Sequence, residues 1–60
     1  MRKYEIINRQ GLVFRIDSNE SIETITENIK NKVFYAFIDI HGDRCSIRSS
    51  EVTVIRTVTF

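Results

Sequence analysis

The side chains best suited to chemistry cluster between positions 39 and 48, in Asp39-Ile40-His41-Gly42-Asp43-Arg44-Cys45-Ser46-Ile47-Arg48. Asp39, His41, Asp43 and Cys45 alternate there, and all three side-chain types bind metals. A structural zinc site wants its Cys and His ligands in two separated pairs, and the chain has one Cys and one His. A calcium loop needs a denser set of oxygens than two aspartates supply. The spacing therefore reads as a solvated turn histidine, with the Asp39 carboxylate bonding the turn backbone. Cys45 is a candidate nucleophile because arginines nearby can lower a thiol pKa. A nucleophile also needs a base and an oxyanion hole, and His41 sits four residues away across a tight turn. Cys45 reads instead as a small buried hydrophobe. Glu20, Glu23 and Glu27 share one side of an expected helix. Carboxylates do acid–base work when burial splits their pKa values, and a helix face without a pocket leaves them solvated. No nucleophile, base and orienting group can be assembled, so the expectation is a protein that is not an enzyme and uses no cofactor or metal.

Arg44, Ser46 and Arg48 carry more information. They alternate, so they share one face of a strand. Their neighbours across the preceding turn depend on its length. With Asp39-Ile40-His41-Gly42 as a four-residue turn, Arg44 faces Ile38 and Arg48 faces Phe34. With His41-Gly42 as a two-residue turn, Asp39 pairs with Arg44 and Tyr35 with Arg48, and Phe37 joins that face. Both registers set two arginines beside aromatic or apolar side chains. Three readings follow. Arginine stems can cover apolar surface that would otherwise be wet. Apolar residues rimmed by arginine also describe a protein–protein hot spot. Aromatics and arginines on a sheet describe a platform for single-stranded nucleic acid as well. The candidate binding residues are Phe34, Tyr35, Phe37, Ile38, Arg44 and Arg48.

These residues need strands to hold them, and the rest of the chain supplies the pattern. Asn8-Arg9-Gln10-Gly11 fits a type I turn followed by a left-handed glycine, closing a hairpin. Its register pairs Asn8 with Leu12, Ile6 with Phe14 and Tyr4 with Ile16 on one face. On the other it pairs Ile7 with Val13, Glu5 with Arg15 and Lys3 with Asp17. Two opposite-charge pairs fall into place without adjustment. The period then changes. Ile22, Ile25 and Ile29 recur at helical spacing, with Asp17, Ser18 and Asn19 ahead of them as N-cap candidates. Asp17 and Glu20 resemble a capping box. The spacing predicts a helix over about 19–31, acidic at its start and basic at its end.

Residues 32–40 alternate with apolar side chains on both faces, the pattern of a central strand covered on both sides. Asp39-Ile40-His41-Gly42 repeats the first turn with Asp for Asn, and residues 44–48 form its partner strand. Residues 51–60 predict a last strand after a bend at Ser49-Ser50. The two glycine turns, at a period of 31, hint at an internal repeat. The expected fold is a small single α+β domain of order ββαβββ, over residues 1–60. One antiparallel sheet, able to curl toward a barrel, carries one helix.

Composition sets the limits. Sixty residues allow one domain with a small core. Hydrophobic residues are 42% and charged residues 28%, which suits a globular chain rather than a disordered one. No run of 18 apolar residues exists to span a membrane, and no apolar leader follows the N-terminus. One cysteine forms no internal disulfide and suits a reducing, cytoplasmic setting. The net charge of +1 lacks the basic excess of a dedicated nucleic-acid protein. One helix covers only one face of a sheet. The other face is left for curvature, for a second copy in a homodimer, or for another protein. The expected function is that of a small regulatory or adaptor module docking onto a protein. Nucleic-acid binding through Arg15, Arg44, Arg48 and Arg56 is the alternative.

Overall fold

The computed structural model describes residues 1–59. Five strands and one α-helix follow in the order β1 (Arg2–Asn8), β2 (Val13–Ser18), α1 (Ile22–Lys30), β3 (Phe34–Ile38), β4 (Arg44–Arg48), a 3-10 turn (Ser49–Glu51) and β5 (Val52–Thr57). The class is α+β, with all strand pairing antiparallel. The strands form two sheets rather than one: a three-stranded sheet of order β2-β1-β5 and a two-stranded sheet of β3 and β4. They do not close into a barrel. The sheets meet at one backbone hydrogen bond, from the Ile40 N–H to the Arg15 carbonyl at 3.0 Å.

The first hairpin has the register its sequence predicts, with Tyr4 opposite Ile16, Glu5 opposite Arg15 and Lys3 opposite Asp17. Gly11 takes φ +83°, and the Asn8 side chain accepts the N–H groups of Gln10 and Leu12 at 3.0 and 2.9 Å. The second hairpin repeats this turn: Gly42 has φ +83°, and Asp39 Oδ1 accepts from His41 and Asp43, both at 2.9 Å. A short polar side chain that folds back on its own turn, followed by a left-handed glycine, is a local solution used twice.

The helix begins later than its sequence suggests. Its N-cap is Ser21, whose Oγ accepts the Thr24 N–H at 3.2 Å. Asp17 and Ser18 belong to β2 instead, and Asp17 pairs with Lys3 at 3.2 Å, so the Asp17–Glu20 capping box does not form. Glu20 accordingly lies outside the helix and accepts from the Asn28 side chain at 3.2 Å. Strand β3 is shorter than the predicted 32–40 and has only β4 beside it. It is not a central strand: one face packs inward and the other is open. The last strand ends at Thr57 rather than running through residue 60, and Phe60 lies outside the described residues.

The core forms where the inner faces of the two sheets meet the helix. Tyr4, Ile6, Ile16, Ile25 and Ile29 are buried together, with Phe14, Ile22, Tyr35, Phe37, Val52 and Ile55 packed around them. Tyr4 is fully buried, and its hydroxyl donates to the Glu20 carbonyl at 2.6 Å. That bond satisfies the one polar atom of a large apolar side chain.

Candidate docking face

The register of the second hairpin decides which candidate residues stand together. Phe34 is opposite Arg48, Ala36 opposite Ser46 and Ile38 opposite Arg44. This is the four-residue-turn register. It places these six side chains on the outer face of the β3–β4 sheet in three cross-strand rows. The middle row, Ala36 and Ser46, is small. It forms a trough between a Phe34/Arg48 ridge and an Ile38/Arg44 ridge. Phe34 is 53% exposed and Ile38 61% exposed. The Arg48 guanidinium lies over the Phe34 ring, 5.0 Å from its centroid, which fixes both side chains in a cation–π contact.

Tyr35 and Phe37 take the other face. They stack on each other with ring centroids 5.8 Å apart, and Phe37 meets the edge of Phe14 at 5.7 Å. Burial and the nearby Glu20 charge push the Tyr35 hydroxyl above its ordinary pKa. These two aromatics are partly buried against the core, on the face opposite Arg44 and Arg48. Of the six predicted binding residues, the structure brings together Phe34, Ile38, Arg44 and Arg48. It adds Ala36 and Ser46 between them.

Cys45 is half-buried on the inner face. Its thiol reaches Asp39 Oδ2 at 3.8 Å and the Asp43 carbonyl at 3.7 Å. Burial, followed by the Asp39 and Asp43 charges, raises its pKa, opposite to the effect expected from its arginine neighbours. His41 is exposed at the tip of the turn. Among the described residues, no group of three or more His, Cys, Asp or Glu side chains is arranged to hold a metal ion, and no helix is long and apolar enough to cross a membrane.

A cavity of about 530 Å³ opens where the Asp39–His41 turn leans over the three-stranded sheet. Its charged residues already have partners. Glu5, only 5% exposed, receives Arg56 at 2.7 Å on one oxygen and Arg15 at 3.1 Å on the other. Register alone positions this triad, because Arg15 on β2 and Arg56 on β5 both lie opposite Glu5 on β1. Pairing Glu5 with Arg15 was legible in the first hairpin. Arg56 was missed, although aligning the last strand against β1 to match opposite charges would have found it. The Arg56 hydrogen bond lowers the Glu5 pKa most, burial opposes it, and the Arg15 hydrogen bond and both positive charges lower it further. Arg15 and Arg56 thus serve this internal ion cluster and lie on a different sheet from Arg44 and Arg48.

The remaining cations behave differently. The ion pairs among the described residues are Lys3–Asp17 and the two to Glu5, and none involves Lys30, Lys32, Arg44 or Arg48. Lys30, Lys32 and Arg48 line a shallow notch with Val33, Ser49 and Ser50 at one end of the outer face. Asp43 and Glu51, the carboxylates nearest Arg44 and Arg48 in sequence, belong to the turn and the 3-10 segment, not to the three rows.

No protein-family model, curated protein or solved structure matches the chain.

Proposed function

We propose that this protein is a small non-enzymatic docking module that binds another protein through the outer face of β3 and β4. One observation carries the reading: Phe34 and Ile38 are more than half exposed on a regular sheet face, and each shares a cross-strand row with an arginine that makes no ion pair among the described residues. Exposed large apolar groups in such a setting mark interaction surfaces. Arginine and aromatic side chains are the types enriched in them. The face is well suited to the purpose, because its side chains are held by backbone pairing and not by the core. They can change without loss of the fold.

A different protein fits this face better than a second copy. An isologous contact brings the same patch to itself. Here that would set Arg44, Arg48, Lys30 and Lys32 against their own kind. Nucleic acid is the second reading, supported by the same unpaired cations and by Phe34 as a stacking surface. The division of the arginines counts against it, since Arg15 and Arg56 neutralise Glu5 on the other sheet.

A photo-reactive amino acid in place of Ala36 tests the proposal, with Val54 on the three-stranded sheet as control. Protein adducts are expected from position 36 and not from 54, and they should vanish when Arg44→Glu and Arg48→Glu are added. The double variant should stay folded and lose no more than about 1 kcal/mol, the size of the Arg48–Phe34 cation–π contact that it removes. Adducts to nucleic acid alone would replace this reading with the second. Equal adducts from both positions would refute a specific face.

A further inference from the structure

Strand β4 has a second property besides its arginines. The Asp39 N–H bonds the Asp43 carbonyl at 3.0 Å and the Ser49 N–H bonds the Val33 carbonyl at 2.9 Å, which fixes the phase of the β3–β4 ladder. Residues 45 and 47 therefore exchange hydrogen bonds with 37 and 35. The N–H and C=O groups of Arg44, Ser46 and Arg48 point the other way, toward the outer edge. Among the described residues no strand lies beside that edge, and of these groups only the Arg48 carbonyl is used elsewhere, as the first acceptor of the 3-10 turn at Ser49–Glu51. An open edge of this kind is a template for strand addition.

We infer that the outer edge of β4 accepts an extended segment of a partner protein as an added antiparallel strand. That segment carries carboxylates four residues apart, with a large apolar residue midway between them. The inference rests on the docking reading above and names the partner's chemistry. Charge selects the carboxylates: residues opposite Arg44 and Arg48 stand about 13 Å apart along a strand and meet guanidiniums that make no ion pair among the described residues. Lys30 and Lys32 extend the same field at one end. Shape selects the middle residue. It faces Ser46, and the small Ser46–Ala36 row lets its side chain lie across the sheet between Phe34 and Ile38. Backbone chemistry favours a peptide over a nucleic acid. The edge offers the N–H and C=O groups of Arg44 and Ser46 in alternation, with the Arg48 N–H beyond them, and another strand satisfies both kinds. Phosphates only accept.

The probe is a blocked peptide, Thr-Glu-Thr-Phe-Thr-Glu-Thr, titrated into the whole chain and followed by backbone amide NMR. Binding should move and protect the amides of Arg44, Ser46 and Arg48. A peptide with Lys for both Glu should bind at least tenfold more weakly. So should the Glu peptide N-methylated at Phe, which removes the central main-chain donor. The Arg44→Glu/Arg48→Glu variant should reverse the preference and take the Lys peptide, a gain that a misfolded variant cannot produce. Equal binding of the N-methylated peptide would overturn strand addition and leave side-chain docking standing. Absence of binding by the Glu peptide, with cross-linking at position 36 still observed, would overturn the inferred partner chemistry alone. Binding of oligothymidine in place of the Glu peptide would overturn both.

Discussion

Glu5 shows how much one residue can depend on pairing that is distant in sequence. It lies on the outer face of β1 between Ile7 and Lys3, yet its side chain is shielded because arginines from both neighbouring strands close over it. The hydrogen bond from Arg56, then that from Arg15, outweigh burial and hold its carboxyl below the usual range. The unfolded chain therefore binds the proton more readily than the folded one. The stability contributed is complete above the unfolded pKa and is lost as pH falls through the lower folded value. Thermal unfolding of wild type and Glu5→Gln should differ clearly at pH 7. The difference should shrink as pH drops below about 4, where a free glutamate is already mostly protonated. A gap independent of pH would mean that the ion cluster contributes little. Gly11 makes the complementary case, in which a residue depends on nothing distant. A Cβ there would meet no atom within 4 Å, so only the backbone at φ +83° resists substitution. Gly11→Ala should destabilise by about 1 kcal/mol, and Gly42→Ala by the same amount, since the two turns share one geometry. Chemical denaturation of the two variants measures both.

Among the elements, local patterns were legible and boundaries set by tertiary pairing were not. The first hairpin could be read residue by residue, because its register follows from turn length and from two charge pairs. The helix stripe was equally plain, and Ile25 and Ile29 are its buried members. The start of the helix was not, because the capping signal was read at Asp17, Ser18 and Asn19 and the cap is Ser21. Strand pairing decides among them. The β1–β2 ladder runs on to Arg2 opposite Ser18, which draws the first two candidates into the sheet and leaves the cap to Ser21. Strand β3 misled for a related reason. An alternating strand with apolar residues on both faces looks the same whether a second layer or a partner covers it. Only the long-range pairing of β1 with β5 shows that the second layer is missing. The helix itself should be sensitive. Ile25 is 1% exposed in the middle of the core, and Ile25→Ala should lose roughly 2–4 kcal/mol, most of the stability of a domain this size. Ser21→Ala should lose about 1 kcal/mol. Urea denaturation separates the two, and similar values would show that the stripe packs loosely.

At the scale of the whole molecule, charge is sorted. On the three-stranded sheet Lys3, Arg15 and Arg56 pair with Asp17 and Glu5 and only Arg2 makes no ion pair, while at the β3–β4 end none of Lys30, Lys32, Arg44 and Arg48 makes one among the described residues. A net charge of +1 conceals this, because composition counts charges and register places them. The sorting has a consequence for self-association. Two copies could pair antiparallel along their open β4 edges, about a two-fold axis at Ser46. Each Arg44 would then stand opposite Arg48 of the second copy, and the two-fold axis makes that clash twice. Like charges directly opposite destabilise a strand pair, so the wild-type chain should sediment as a 7.1 kDa monomer at every accessible concentration. Arg44→Glu alone converts both clashes into opposite-charge pairs. Each cross-strand pair is worth roughly 0.2–1 kcal/mol in either direction. The swing over two pairs is then about 0.8–4 kcal/mol, or roughly fourfold to several-hundredfold in the dimer Kd. The single variant should dimerise at concentrations where the wild type does not, and salt should weaken the dimer. Arg44→Glu with Arg48→Glu restores like charges opposite one another and should return the chain to a monomer. That return separates register-specific pairing from a general loss of repulsion, since the double variant carries less positive charge than the single one. A double variant that dimerises as well as the single would show that the β4 edges do not meet in this register.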